Sequence, residues 1–229
     1  MGTLLKRILH PRQDESLFNV MPKAIKFLNP TDWMNIVKYG SPAPRYADVI
    51  YVNPQDVQGI LMPRARSYSG VVVREFPPTS NHTIIPVRDH GKIGCCLEKW
   101  ERGIDWCETQ YLKECLKNQI HRYGKTPSEQ NQFWSKYDKL LENIKRDGRL
   151  KLRSEFNNSK FRQEGGVIIH IGEGGALYQG HSGNRRFAAA LFAGLTEIPA
   201  QVGCVHVGAL EVFRSMCAPR AATETDMQR

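Results

Sequence analysis

The sequence predicts an α+β fold: a mixed sheet packed with helices, plus a β-containing N-terminal extension. Three observations point there. Residues 180–207 run from a glycine-rich turn through an alanine-rich segment into a valine-rich one. Residues 126–146 carry a helix start signal followed by an apolar stripe at helical spacing. Residues 48–87 hold several short β-branched runs separated by Pro, Gly and Asn. The expected organisation is an N-terminal β-rich extension or subdomain over 1–107, a main domain over 108–217, and a frayed tail over 218–229.

Taken in order, residues 1–20 carry no clear motif. Asn29-Pro30-Thr31-Asp32 is a helix start, and Trp33, Ile36 and Val37 would share one face of a short helix reaching Tyr39. Asp48 to Val52 reads as a strand, and Asn53-Pro54 opens a turn or short helix. Pro63 to Ser69 is small and basic. Gly70 to Glu75 and Thr83 to Val87 read as further strands around the Pro77 to His82 loop. These runs form either an added β-rich module or edge strands of the main sheet.

From Cys95 the pattern turns helical. A helix from Glu108 to His121 would bury Tyr111, Leu112, Cys115 and Ile120. Trp100 and Trp106 read as core anchors rather than base-stacking rings. Thr126-Pro127-Ser128-Glu129 combines a cap, a proline at the first helical position and a capping-box glutamate. The helix would continue to about Arg146 with Phe133, Tyr137, Leu140, Leu141 and Ile144 inward, and end at Asp147-Gly148. Residues 145–162 carry seven Lys or Arg against Asp147 and Glu155, a segment suited to a phosphate backbone or to a solvated loop.

Gly166 to Tyr178 reads as two strands joined at Gly172 to Gly175. The turn Gly180-His181-Ser182-Gly183-Asn184 then feeds a helix from Arg185 to Ala193, ended by Gly194, and Ile198-Pro199 enters a strand running from Ala200 to Val207. A glycine-flanked helix start exposes backbone N–H groups and carries partial positive charge. Arg185 and Arg186 would add guanidinium groups suited to phosphate. Gly180, His181, Ser182, Gly183, Asn184, Arg185 and Arg186 are thus the candidate phosphate-binding residues. The plainer reading is a capped helix with two solvated arginines. Leu210 to Met216 is a short helix or strand remnant.

The 229 residues carry a net charge of +9 and 41% hydrophobic residues, which suits a globular protein with polyanionic partners. No apolar run approaches the roughly 20 residues of a membrane span. The N-terminus lacks the features of a secretory signal, so a cytoplasmic, non-membrane protein is expected. Six cysteines occur, none in a C-x-x-C pair, and reduced, mostly buried thiols are expected. A zinc site built from the Cys95 to Cys115 cluster with His90 and His121 is the alternative.

The run Gly183-Asn184-Arg185-Arg186-Phe187-Ala188-Ala189-Ala190, with Ala193-Gly194-Leu195 and Ile198-Pro199, resembles the signature of the ParB/sulfiredoxin-like superfamily. Leu140 to Gly148 looks like its second box, although Leu150 to Arg153 lacks the proline that follows there. The resemblance covers about residues 133–207. It implies a ParB/sulfiredoxin-like sheet and a phosphate cradle for a nucleoside triphosphate or diphosphate, CTP or ATP, with Mg²⁺. Gly183 falls where the backbone must approach phosphate, Arg186 on the arginine that grips it, and Arg185 on the ParB-type choice. Asn184 replaces the reactive cysteine of sulfiredoxins and the glutamate common in ParB proteins, and it cannot act as a general base.

Hydrolysis or phosphoryl transfer would need a carboxylate beside Mg²⁺. Glu142, Asp147, Glu164 and Glu173 are the candidates; Asp147 is placed first by family analogy, and Glu142 is taken with it as a catalytic candidate. His181 would orient phosphate or accept a proton. The expected function is nucleotide binding, with NTPase or small-molecule kinase activity open to it. The alternatives are a DNA-binding protein or a metal-dependent nuclease of the same type. Nucleotide is the expected partner, DNA and a second copy of the chain being further ones. A reading head of the helix-turn-helix kind finds no room after Val207, which weighs against a partition protein.

Overall fold

The strands Val49–Val52 (β1), Val57–Met62 (β2), Val72–Val73 (β3), Thr83–Ile85 (β4), Ile168–Ile171 (β5), Leu177–Gln179 (β6) and Ile198–His206 (β7) form one mixed sheet. The order is β1-β7-β5-β6-β2-β4, with β3 also paired to β7. This computed structural model describes residues 29–40, 42–62, 68–78, 81–156 and 162–217. The expected tail over 218–229, the N-terminal twenty residues, most of the basic Pro63 to Ser69 segment and residues 157–161 of the basic run lie outside the described residues.

Strand β7 organises the sheet. Its run Ile198 to Val205 is buried at every position, the pattern of a strand covered on both faces. It pairs antiparallel with β1, where Ile50 faces Ala200, and parallel with β5, where Ile169 faces Val202. β5 and β6 are the expected antiparallel pair, turning through Glu173–Gly175. β6 runs parallel to β2, and β2 antiparallel to β4.

The helices are Pro30–Tyr39 (α1), Gly91–Arg102 (α2), Gln110–Lys117 (α3), Pro127–Trp134 (α4), Lys136–Asp147 (α5), Arg153–Phe156 (α6), Asn184–Phe192 (α7) and Leu210–Cys217 (α8). α7 is the short alanine helix expected from the sequence. Ala188, Ala189 and Ala190 are fully buried, and their small side chains let α2 and α5 pack closely on α7. One core runs from Ile50 and Ile60 through Ile93, Leu112, Trp134 and Ile144 to Phe187, Val202 and Phe213. The expected division at residue 107 falls inside this core, and β1, β2 and β4 belong to the same sheet as β5 to β7.

Several local expectations need correcting. The segment after Asn53-Pro54 forms one helical turn and then strand β2, because Val57, Gly59, Ile60 and Leu61 are drawn into the sheet. Helix α2 starts at Gly91, where the sequence suggested only the end of a strand region. Glycines mask its periodicity, and Gly94 is required because a Cβ there would stand 2.3 Å from the Arg88 carbonyl oxygen. The single helix expected over 126–146 is broken at Ser135, and Trp134 rather than Phe133 faces inward, at 0% against 36% exposure. α3 ends at Lys117, and Ile120 lies outside it and exposed.

Helix α1 starts where expected, with the Asn29 side chain accepting from the Thr31 N–H at 3.0 Å. Its inward face is polar, however. Asp32 and Asn35 are buried while Trp33 and Val37 are exposed. Asp32 Oδ1 accepts from the Tyr46 N–H at 2.7 Å, and Asn35 Nδ2 donates to the carbonyls of Pro44 and Gly70 at 2.7 and 2.6 Å. Hydrogen bonds to backbone loops, rather than apolar burial, fix this helix.

The two tryptophans are anchors, as expected. Trp106 is buried, and the indole N–H groups of Trp100 and Trp106 both donate to Asp138, at 2.9 and 2.8 Å. The six cysteines are free, four of them buried. Among the described residues, no helix is long and apolar enough to cross a membrane.

Candidate functional site

The turn between β6 and α7 is held by the sheet. The Gly180 N–H donates to the Ile168 carbonyl at 2.8 Å, and the Ile168 N–H to the Ser182 carbonyl at 3.4 Å. Gly183 has φ +72, and a Cβ there would come within 2.6 Å of Val167 backbone atoms. Both facts require glycine. The first intrahelical bond of α7 runs from the Phe187 N–H to the Gly183 carbonyl at 2.9 Å. The N–H groups of Asn184, Arg185 and Arg186 precede it, so the helix offers them no acceptor.

A cavity of about 270 Å³ opens at this helix start, lined by Lys92, Arg122, Tyr137, His181, Ser182, Gly183, Asn184, Arg185 and Arg186. Six of the seven residues expected at the cradle are therefore brought together. Gly180 is the exception: it is buried in the sheet, and a Cβ there would meet the His170 ring at 2.8 Å.

The two arginines are not a solvated pair. The Arg185 guanidinium sits among three rings, its Cζ 4.3 Å from the Trp134 centroid, 4.6 Å from Tyr137 and 5.7 Å from Tyr123. This cation–π cage positions the group at the cavity floor. Arg186 turns the other way. Its Nη2 donates to the Lys151 carbonyl, and its Cζ lies 5.3 Å from the Phe156 centroid. Its Nε and Nη1 are buried without a hydrogen-bond partner. Burial, reinforced by Arg153 and opposed by Glu155, pushes this guanidinium down to about 10. Orphaned guanidinium donors in a residue that lines the cavity leave it a net positive group that a nearby anion would stabilise.

Asn184 is a structural tie. Its Oδ1 accepts from Gln179 Nε2 at 2.9 Å, and its Nδ2 donates to His90 Nε2 at 3.1 Å. His90 immediately precedes α2, so this contact fixes the start of α2 beside the start of α7. Gln179 Nε2 also donates to the Ser182 carbonyl at 3.1 Å, closing the turn from below.

The carboxylates expected to serve catalysis lie elsewhere. Glu142 is on the exposed face of α5. Asp147, at the end of α5, pairs with Lys151 and Arg146, both at 2.9 Å, and these partners hold its carboxyl below the usual range. It reaches the cradle only through Lys151, whose carbonyl binds Arg186. Glu164 is buried and accepts from the Tyr46 hydroxyl at 3.1 Å, and Glu173 is exposed in the β5–β6 turn.

Lys92 and Arg122 were not legible as site residues. They come from the start of α2 and from the His121–Tyr123 turn, 91 and 61 positions or more before Gly183 in sequence, and no spacing rule links them. A larger groove of about 530 Å³ lies between α2 and α3, but both of its arginines are paired with carboxylates, Arg88 on Glu101 at 2.8 Å and Arg102 on Glu98 at 2.6 Å. No family model, no curated protein and no solved structure matches this chain.

Proposed function

We propose that the chain binds the phosphate groups of a nucleotide at the start of α7, in a fold of the ParB/sulfiredoxin-like type. The observation that carries this is the cavity itself: Lys92, Arg122, Arg185 and Arg186 line it, no carboxylate among the described residues does, and two buried donors of Arg186 have no partner there. The amides at the helix start, for which the helix has no acceptor, add to that field. The glycine turn, the alanine helix and the Ile198-Pro199 entry to β7 follow one another as the resemblance implies.

The donor set fits phosphate oxygens. It does not fit Mg²⁺ held by the protein, because the lining among the described residues contributes no carboxylate. In this reading Mg²⁺ travels with the phosphate chain. The roles of the chain's own residues are then distinct. Arg186 and the helix-start amides hold phosphate, Arg185 supplies fixed charge from its cage, and His181 is the group placed to orient phosphate or accept a proton.

The test is calorimetric titration with CTP and ATP, with and without Mg²⁺, and with duplex DNA at several salt concentrations. Nucleotide binding that Arg186→Ala weakens at least about 10-fold supports the reading, since a charge-assisted contact is worth that much. Tight, steeply salt-dependent DNA binding without nucleotide binding would replace it with the DNA reading. The exposed basic groups around α6 favour that alternative less, because Arg149 pairs with Glu155 at 2.7 Å and Lys151 with Asp147.

A further inference from the structure

Elsewhere among the described residues several arginines are paired with carboxylates: Arg162 meets Asp48 at 2.7 Å, and Arg88, Arg102 and Arg149 each have a glutamate. The cavity at the start of α7 departs from that pattern. Among the described residues, none of Lys92, Arg122, Arg185 and Arg186 forms an ion pair. Three of the four gather around one ring. The Cζ atoms of Arg122 and Arg185 lie 5.8 and 5.7 Å from the Tyr123 centroid, and Lys92 neighbours the same tyrosine. Like charges crowded this way repel, and more strongly where water is excluded.

We propose that Lys92 and Arg122 form a second anion subsite facing the α7 start, so that the cavity selects a diphosphate or longer phosphate chain over a single phosphate. This rests on the phosphate-binding reading of the cavity and adds a ligand class to it. The division of labour follows from the geometry. Arg186 and the helix-start amides hold one anionic group. Arg185 is pinned among rings and cannot follow a ligand, so its charge lies between the two subsites. Lys92 and the exposed Arg122 come from separate elements and receive the next anionic group along the chain.

Two further observations agree. The Asn184–His90 bond fixes the start of α2, and therefore Lys92, against the start of α7. Burial pulls the Lys92 ammonium below the usual lysine range, with Tyr123 opposing and Arg185 and Arg122 reinforcing that shift, the condition an incoming anion would relieve. The cavity, about 270 Å³, also falls short of the ~300–1,000 Å³ that encloses a drug-sized ligand. It admits the charged end of a ligand and leaves the rest outside.

The test uses the full chain and three probes, orthophosphate, pyrophosphate and tripolyphosphate, titrated by calorimetry at fixed ionic strength without divalent cation. The proteins are the wild type, Lys92→Met, Arg122→Ala, their double variant and Arg186→Ala. The wild type should bind tripolyphosphate at least ~10-fold more tightly than orthophosphate, and the double variant should reduce that ratio below ~3-fold. Should the double variant fail to fold by circular dichroism, Arg122→Ala, an exposed change, should still narrow the ratio at least ~2-fold. A wild type with no preference, or variants that keep it, overturns the second subsite. If orthophosphate still binds in that case and Arg186→Ala weakens it, the cradle reading survives. If no probe binds the wild type, both readings fail.

Discussion

The guanidinium of Arg185 lies 4.3 Å from the centre of the Trp134 ring, with Tyr137 and Tyr123 closing the sides. The helix that starts the cradle is thereby clamped to the aromatic core of α4 and α5. Arg185→Met should destabilise the fold by about 1–2 kcal/mol, the scale of a partly desolvated cation–π contact. Arg185→Lys should fall between the two, since it keeps the charge but loses the planar stack. Urea unfolding midpoints would check the order, and a midpoint unchanged in Arg185→Met would show that the cage contributes nothing to stability.

Gly183→Ala tests the cradle backbone. The position is left-handed, and a Cβ would stand 2.6 Å from Val167 backbone atoms and 2.7 Å from the Gly166 carbonyl oxygen. Strain in that region costs about 1–3 kcal/mol before the clash is counted. The expected result is a destabilised protein that no longer binds orthophosphate. Full phosphate binding with an unchanged melting temperature would mean that the turn is not the binding element.

Asp138 serves two indoles, accepting from Trp100 at 2.9 Å and Trp106 at 2.8 Å. Asp138→Ala leaves both N–H groups without their acceptor, at roughly 1–3 kcal/mol each where they stay dry. Asp138→Asn keeps one acceptor oxygen and should lose about half as much. Tryptophan emission should shift to the red in the alanine variant, and equal stabilities of the two variants would count against this account.

The parts of the fold that were legible in the sequence are those set by local rules. The capped start at Thr126, where the side chain accepts from the Glu129 N–H at 3.2 Å, follows from neighbouring residue types, as do the β5–β6 pair, α7 and β7. What was not legible depends on tertiary contacts. β2 is a strand because β6 and β4 lie beside it, and α1 turns Asp32 and Asn35 inward because loop amides and carbonyls await them. The cradle turn was readable because its strain is encoded in Gly183 itself. Lys92 and Arg122 were not, since only the folded chain brings α2 and the Tyr123 turn to that cavity.

His170 makes stability depend on pH in a defined direction. It is completely buried in β5, its Nδ1 accepting from the Cys204 N–H at 3.0 Å, so that Nε2 keeps the proton. Burial, with smaller contributions from His181 and His82, holds the imidazole down at about 3, against 6.5 when unperturbed. The unfolded chain therefore takes up a proton that the folded one refuses. The stability associated with His170 is present in full above pH 6.5 and is lost as pH falls toward about 3. The slope in that window should reach at most ~1.4 kcal/mol per pH unit. Glycines at 180 and 203 pack against the ring, where a Cβ would come within 2.8 and 2.3 Å of its nitrogens, so a smaller non-titrating residue fits the space. His170→Asn should lower stability at neutral pH but flatten its fall between pH 6.5 and 5, above the range where ordinary carboxylates titrate. Urea midpoints measured across that interval give the answer: parallel curves for the two proteins would show that His170 is not the group responsible.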